Sequence, residues 1–512
     1  MVRNTGESPN QSLRAPRRAD LTPSIYADLP PDCDRKGLEQ LMQERSFAAK
    51  IRKLFSAHDM TQGAPWKRIL EFAVPMLIGN LAQQLYNTAD SIIVGRYVGD
   101  NALAAVGSAS PILNLLLALF VGVSTGVGIL VAQRFGAKDR EQLSVVIGNC
   151  ISLCAMVSLA TMVIGVAITR PMLTLLRTPD SIIDWCADYL IIYFLGIAGF
   201  AYYNILSGVL RGMGDSFSAL LFLLIAAGLN VGLDIWFVAG LGLGVAGVAL
   251  ATVLSQAISA LFCLWKMMRM RDVFDLKLSY IRPRMTPIMN IIRIGLPSGV
   301  TQAIFSSAMM IVQSLTNSFG EMVIACNVIV MRVDGFAMMP NFTFGQTMTT
   351  YTGQNIGARR IDRVRQGAVQ GTLIAVGFSA VLTGLILLFG RQLMGLFTET
   401  EELIVLAMRM MSILAVGYIA VSITQSLSGV MRGAGDTMTP MWISLITSVI
   451  LRVPAAYGLA YLTRSEEYPN GRPEALFFSM LISWTIGMII TIVAYRFGKW
   501  RGRVAQEEAA AA

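Results

Sequence analysis

Three aspartates stand inside long apolar runs of this 512-residue chain: Asp90, Asp234 and Asp334. An ionisable side chain at membrane depth is costly, so such a residue has either a task or a partner. At 1.5 Å of rise per residue, Asp90 lies about 20 residues into its run and Asp234 about 17 into its own. Both runs start on the same side of the membrane, which puts the two acids at similar depth. Asn230 precedes Asp234 by one helical turn and shares its face. Carboxylate and amide oxygens are hard ligands suited to small cations, and burial opposes the charged form of a carboxylate, so that it can take up a proton. Asp90, Asn230 and Asp234 are therefore expected to form a cation-coupling site for H⁺ or Na⁺. The competing reading is that each merely hydrogen-bonds a neighbouring helix. Asp334 lies about twelve residues into its run, near mid-depth. It is expected to draw substrate into a cavity that Met338, Met339 and Tyr86 also line, methionine being able to repack around different ligands. A structural pair of Asp334 with Arg332 or Arg409 is the alternative. Pro75 lacks a backbone donor inside its run and is the expected point of helix bending.

The elements that must position these residues are membrane helices. Hydrophobic residues make up 54% of the chain and charged residues only 14%, against roughly a quarter charged in soluble domains. A bilayer core needs about 20 apolar residues per helix, and twelve such runs occur. They fall near 69–97, 104–133, 145–169, 185–208, 217–239, 244–265, 290–318, 323–352, 367–390, 403–429, 438–462 and 475–497. With the N-terminus inside, the inner segments hold 32 Lys and Arg residues and the outer loops five. This asymmetry predicts cytoplasmic termini in a bacterial inner membrane. It also accounts for the net charge of +9 without nucleic acid as a partner. The expected organisation is a cytoplasmic tail over 1–66, a six-helix lobe over 67–266, a linker over 267–288, a second six-helix lobe over 289–498 and a tail over 499–512. Within the first tail, the first 35 residues read as disordered. Apolar residues at helical spacing over 38–55, beside Arg45, Lys50, Arg52 and Lys53, suggest an amphipathic helix on the inner leaflet.

Several function classes find no residues to support them. The six cysteines show no paired metal spacing, the one histidine (His58) lies in the tail, and no nucleophile elbow, Walker loop or HExxH occurs. No enzyme activity, cofactor or cleaved signal peptide is expected. An internal repeat is clear instead. Ser207–Asp215, SGVLRGMGD, returns as Ser428–Asp436, SGVMRGAGD, 221 residues later. Gln133 and Gly136-Ala137 return as Gln354 and Gly357-Ala358 at the same offset, and Pro75 meets Pro297 near it. Six spans per unit make the repeats parallel, related by a pseudo-two-fold axis along the membrane normal with a cleft between them. The Arg211-Gly212…Asp215 element and its copy are expected to tie together the inner ends of each lobe.

These residues resemble a known family. Pro75, Gln83, Gln84, Tyr86, Asn87, Asp90, Val94-Gly95-Arg96 and Gly99 look like the first span of multidrug and toxic compound extrusion (MATE) transporters. So do both SGV elements, TGQNIGA at 352–358, and Asn230…Asp234 followed by GLGLGVAGVALATVLSQ at 240–256. The resemblance implies an all-α fold of twelve transmembrane helices, exporting organic, often cationic compounds in exchange for Na⁺ or H⁺. It also implies that the Asp90 and Asp234 positions bind the coupling ion. The chain looks closest to the DinF-like bacterial branch, which carries an acid in span one. No acid lies between Gln302 and Gln313, where another branch has a glutamate. Expected partners are small organic cations or other xenobiotics and membrane lipid, with the chain a monomer. The competing function is a flippase for lipid-linked oligosaccharide. Wall charge separates the two, since a negative cavity favours cations and a positive one favours phosphate-bearing lipids.

Overall fold

The computed structural model describes residues 58–175, 178–466, 468–498 and 500, without the side chains of residues 87, 89, 91, 100, 101, 103, 110, 111 and 115. The amphipathic helix expected over 38–55 and the disorder expected before it lie outside the described residues, as does nearly all of the closing tail.

The described chain is helical throughout. α1 (Pro65–Tyr97), α2 (Asp100–Gly136) and α3 (Arg140–Leu175) are followed by α4 (Asp180–Leu195) and α5 (Ile197–Gly212), then α6 (Ser216–Asp234) and α7 (Gly244–Arg269). After the short α8 (Leu278–Ile281) come α9 (Met285–Ser318), α10 (Glu321–Gly357), α11 (Ile361–Gly395), α12 (Glu401–Gly433), α13 (Met438–Leu445), α14 (Arg452–Leu462) and α15 (Glu474–Phe497). α6 runs on into a π-helical turn, Ile235–Gly240, and a second one, Ile446–Leu451, joins α13 to α14. Among the described residues ten helices are long and apolar enough to cross a membrane, or eleven if the α4–α5 pair, bent by 53°, counts as one span. α1 is not among them, because Asn80, Gln83, Gln84 and Asp90 interrupt its apolar face. The apolar run at 185–208 reads as one straight helix, whereas the chain breaks at Gly196.

Repeated local chemistry sets the helix starts. Asp215 accepts hydrogen bonds from the Ser218 backbone and hydroxyl at 2.9 and 2.7 Å, and Asp436 does the same for Thr439 at 3.1 and 2.7 Å. These aspartates satisfy amides that the first turn leaves open. Gly99 and Gly320 precede α2 and α10 with φ of 105° and 94°, a backbone region that glycine enters without strain. One apolar core joins residues between Val94 and Ile291, and another joins residues between Val312 and Met480. A third draws Met60, Ile69 and Phe72 against Phe344, Met348 and Tyr351.

Two close crossings bring the sequence halves together. α2 meets α9 where Gly122 and Gly126 face Gly295 and Gly299, with no space for a Cβ on either helix. Such small residues let backbones approach where lipid supplies no hydrophobic drive. At the far end of α2, a Cβ on Gly136 would collide with the Gln354 carbonyl, and one on Gly357 would collide with that of Gln133. The same glutamines reach across. Gln133 Nε2 donates to the Gly433 carbonyl at 2.9 Å, and Gln354 Nε2 donates to the Gly212 carbonyl at 3.1 Å. Both acceptors are carbonyls at helix C-termini, left open by the helix itself. The segment before α1 closes over this seal. The Met60 amide donates to Gln354 Oε1 at 2.9 Å, its carbonyl accepts from Asn355 and Arg363, and Arg360 donates to the Thr61 carbonyl.

Gly357→Ala sets a methyl group against the Gln133 carbonyl and should part the two helix ends. In a cysteine-free background, the rate at which a water-soluble maleimide labels Ser428→Cys should rise about fivefold or more, the change that ~1 kcal/mol produces. An unchanged rate would show that closure does not rest on this contact.

Candidate functional site

α1, α6 and α7 gather the polar residues of the N-terminal half. Asn230 and Asp234 are fully buried on one face of α6, and Asp90 of α1 is half-buried opposite them. The Asp90 and Asp234 carboxyls stand close enough to act on each other. Two facing carboxylates repel unless a proton or a cation comes between them. Asn230 Nδ2 donates to Thr252 Oγ1 of α7 at 3.3 Å, which turns its Oδ1 the other way. Asp90 Oδ1, Asn230 Oδ1 and both carboxylate oxygens of Asp234 are buried with no hydrogen-bond partner. Nearly all buried polar atoms in folded proteins have a partner, so four open acceptors at one place mark a site for something with positive charge. Tyr86 of α1 and Tyr189 of α4 stand close enough to the acids to interact with their charge. Tyr189 and Tyr193 stack at 6.3 Å between centroids. Directly after Asp234 the helix widens into its π turn, a distortion common at functional positions.

Asp334 sits elsewhere. It is 9% exposed on α10 and accepts a 2.9 Å hydrogen bond from Tyr418 Oη of α12. The compensating charge comes from Arg452 of α14, not from Arg332 or Arg409. Arg409 pairs with Glu474 at 3.0 Å. Arg452 is itself 7% exposed; its Nη atoms meet the Met309 sulfur at 3.6 and 3.7 Å, and its Nε has no partner.

A cavity of about 430 Å³ opens between the two halves, within the size range of sites for drug-sized molecules. α1 lines it with Pro75, Met76, Gly79, Asn80 and Gln83, and apolar bulk comes from Phe200, Phe305, Phe342 and Trp484. Pro75 and Met338 thus stand on the wall, whereas Tyr86, Asp334 and Met339 do not. The charged residues on the described wall are Arg211 and Arg432, which the sequence presents as ties at helix ends. Their recurrence at a fixed offset inside an apolar motif is the signal that marks them. Thr252, Tyr189, Tyr193, Tyr418 and Arg452 have no comparable mark in the sequence.

Comparison with known proteins follows this geometry. The MatE family model matches residues 75–236 and again residues 297–458. The chain is 29% identical over 427 residues to the probable multidrug resistance protein YoeA of Bacillus subtilis, covering 81% of this chain and 92% of that protein. It is 28% identical over 449 residues to the probable multidrug resistance protein YpnP of the same species, covering 87% and 98%. A solved structure described as the outward-facing conformation of a multidrug resistance MATE family transporter of the MOP superfamily superposes with a TM-score of 0.79 at 26% identity, covering 89% of this chain and 99% of that one.

Asp334→Asn leaves the Arg452 guanidinium buried without a counter-charge, a loss that costs about 3–5 kcal/mol where a buried pair is broken. The purified variant should unfold at a lower temperature than wild type, and adding Arg452→Met should restore most of the difference. Equal melting of the single and double variants would show that Arg452 does not depend on Asp334.

Proposed function

Because the chain belongs to the MatE family of membrane transporters, we propose that it is a secondary active exporter moving drug-like organic compounds out of the cell in exchange for H⁺ or Na⁺. The observation that carries this reading is the set of four donorless oxygens on Asp90, Asn230 and Asp234. A bound cation satisfies them, and its loss leaves like charges facing each other in a buried place. The multidrug names of YoeA and YpnP support the substrate class. An acid in α1, with none between Gln302 and Gln313, favours the DinF-like branch.

In this reading α1 is the twelfth span despite its polar face, since its acid and amides turn towards protein and not towards lipid. The broken α4–α5 pair forms one span, and residues 67–266 and 289–498 form two parallel six-helix lobes about a pseudo-two-fold axis, joined by the linker 267–288. Both termini are cytoplasmic, and the protein acts as a monomer in a bacterial inner membrane. The Gln133–Gln354 seal then closes the cavity on the cytoplasmic side. Pro75 lets α1 bend as the cation site fills and empties, changing the wall that α1 gives the cavity.

A second reading draws support from the wall itself. Its arginines do not favour the organic cations expected from the family resemblance, and positive lining is the charge that suits phosphate-bearing lipid. Flipping of a lipid-linked oligosaccharide therefore stands as the alternative.

Proteoliposomes loaded with a fluorescent organic compound decide between the readings. H⁺ and Na⁺ gradients are imposed separately on wild type and Asp90→Asn. One of the gradients should drive wild-type export, and Asp90→Asn should abolish it. Export that neither gradient drives favours the lipid reading, and driven export that survives Asp90→Asn removes the coupling role from Asp90.

A further inference from the structure

Arg211 and Arg432 hold the same place in the two copies of the SGV-Leu/Met-Arg-Gly motif, one in each half, and both line the cavity. Each is half-buried. Arg211 spends one donor on Ser207 Oγ at 3.1 Å. No acid acts on Arg211, whose nearest titratable neighbours Tyr203 and Cys263 are neutral, and no charged neighbour acts on Arg432. The acids nearest in sequence face away. Asp215 is taken up by Ser218 and, at 3.7 Å, by Lys266, and Asp436 is taken up by Thr439. A half-buried guanidinium without a carboxylate keeps most of its five donors open, and two of them on one wall form a strong positive field in a confined space.

We propose that Arg211 and Arg432 form an anion site that takes the phosphate or carboxylate of an amphiphilic organic substrate, one guanidinium coming from each half of the chain. The planar fork of arginine matches those groups with paired, charge-assisted hydrogen bonds. The neutral donors of Ser428, Gln346, Gln425 and Asn204 on the same wall can complete its coordination, while Phe305, Phe342 and Trp484 hold an apolar body. Position adds a second role. Gly212 and Gly433, the residues directly after the two arginines, carry the carbonyls that Gln354 and Gln133 hold across the seal. An anion held there thus lies beside the contacts that close the two halves on each other. This inference rests on the transporter reading and narrows its substrate class to organic anions or zwitterions.

Calorimetric titration of the purified full chain tests it with four probes: 4-methylumbelliferyl phosphate, the parent phenol 4-methylumbelliferone, inorganic phosphate and dioctanoyl phosphatidic acid. Wild type should bind the phosphate ester at least about tenfold more tightly than the phenol. Arg432→Gln should weaken ester binding about tenfold to a hundredfold, the range that loss of a charged hydrogen bond produces, and leave phenol binding unchanged. Should Arg432→Gln also lose the phenol, Arg432→Lys decides, and it should bind the phenol normally and the ester more weakly. Equal affinity of wild type for ester and phenol, or ester binding indifferent to Arg432, overturns the site. Inorganic phosphate bound as tightly as the ester overturns the organic body. Phosphatidic acid bound above the aryl ester identifies the anion as a lipid headgroup, and the reverse order identifies a soluble organic anion. Binding is read without an ion gradient, so its failure leaves the transport assay standing, and failure of driven export leaves this site standing.

Discussion

An oxygen in the hydrocarbon core has no water to turn to, and leaving it without a donor costs several kcal/mol. That constraint organises the molecule at both ends of its machinery. At the seal it is met for two helix-end carbonyls, because the glutamines repeated at 133 and 354 each cross between halves to one of them. Glycines at 136 and 357 let the backbones come close enough for that reach. At the cluster of Asp90, Asn230 and Asp234 the constraint is left open, with four buried oxygens and no donor. In the proposed reading a small cation closes it and leaves again. The helix-end carbonyls of the seal are satisfied by protein, whereas the cluster waits on something brought from outside.

The two halves share a plan without sharing this chemistry. The repeat has an offset of 221 at the caps Asp215 and Asp436, and the family match recurs at 222, from 75–236 to 297–458. Counted at 222, Arg452 falls opposite Asn230, and Ala456 falls opposite Asp234. On that count the C-terminal half carries a guanidinium where the N-terminal half has an amide, and no acid matches Asp234. Asp334 and Tyr418 form a polar pair of their own, and Asp334 supplies the charge that acts on that guanidinium. In the proposed reading, exchange of a free cation is left to one half.

Much of this was legible in residue type and spacing. All twelve apolar runs lie on helices, although the run at 185–208 hides a break at Gly196 that hydropathy does not register. The similar depth of Asp90 and Asp234 is what counting residues along two runs with the same starting side predicts, whereas their placement side by side comes from the packing of α1 against α6. Asp334 resists that approach. Its partners Tyr418 and Arg452 come from helices remote in sequence, and only packing selects them over the nearer Arg332. Arg211 and Arg432 read as helix-end ties because arginine beside glycine usually marks an aqueous turn. Their place on a cavity wall depends on how two such ends face each other, which a single helix does not reveal.

The cation cluster and the cavity are separate places, so coupling must pass through shared elements. α1 is one. Met76, Asn80 and Gln83 on the cavity wall repeat at intervals of three and four residues, and the same face continues two turns on to Asp90. α7 is another. Thr252 holds Asn230, and Gln256 on the wall follows one turn later with its own oxygen unmatched. In the proposed reading, a cation at Asp90 and Asp234 pulls on the helices whose other residues shape the substrate space. A ligand shifts such an equilibrium only by the difference in its affinity for the two arrangements. The cation has that difference because its four oxygens converge only while α1 and α6 stay packed. An anion at Arg211 and Arg432 has it because its two arginines belong to different halves. Each ligand reads one relationship between helices, and α1 belongs to both.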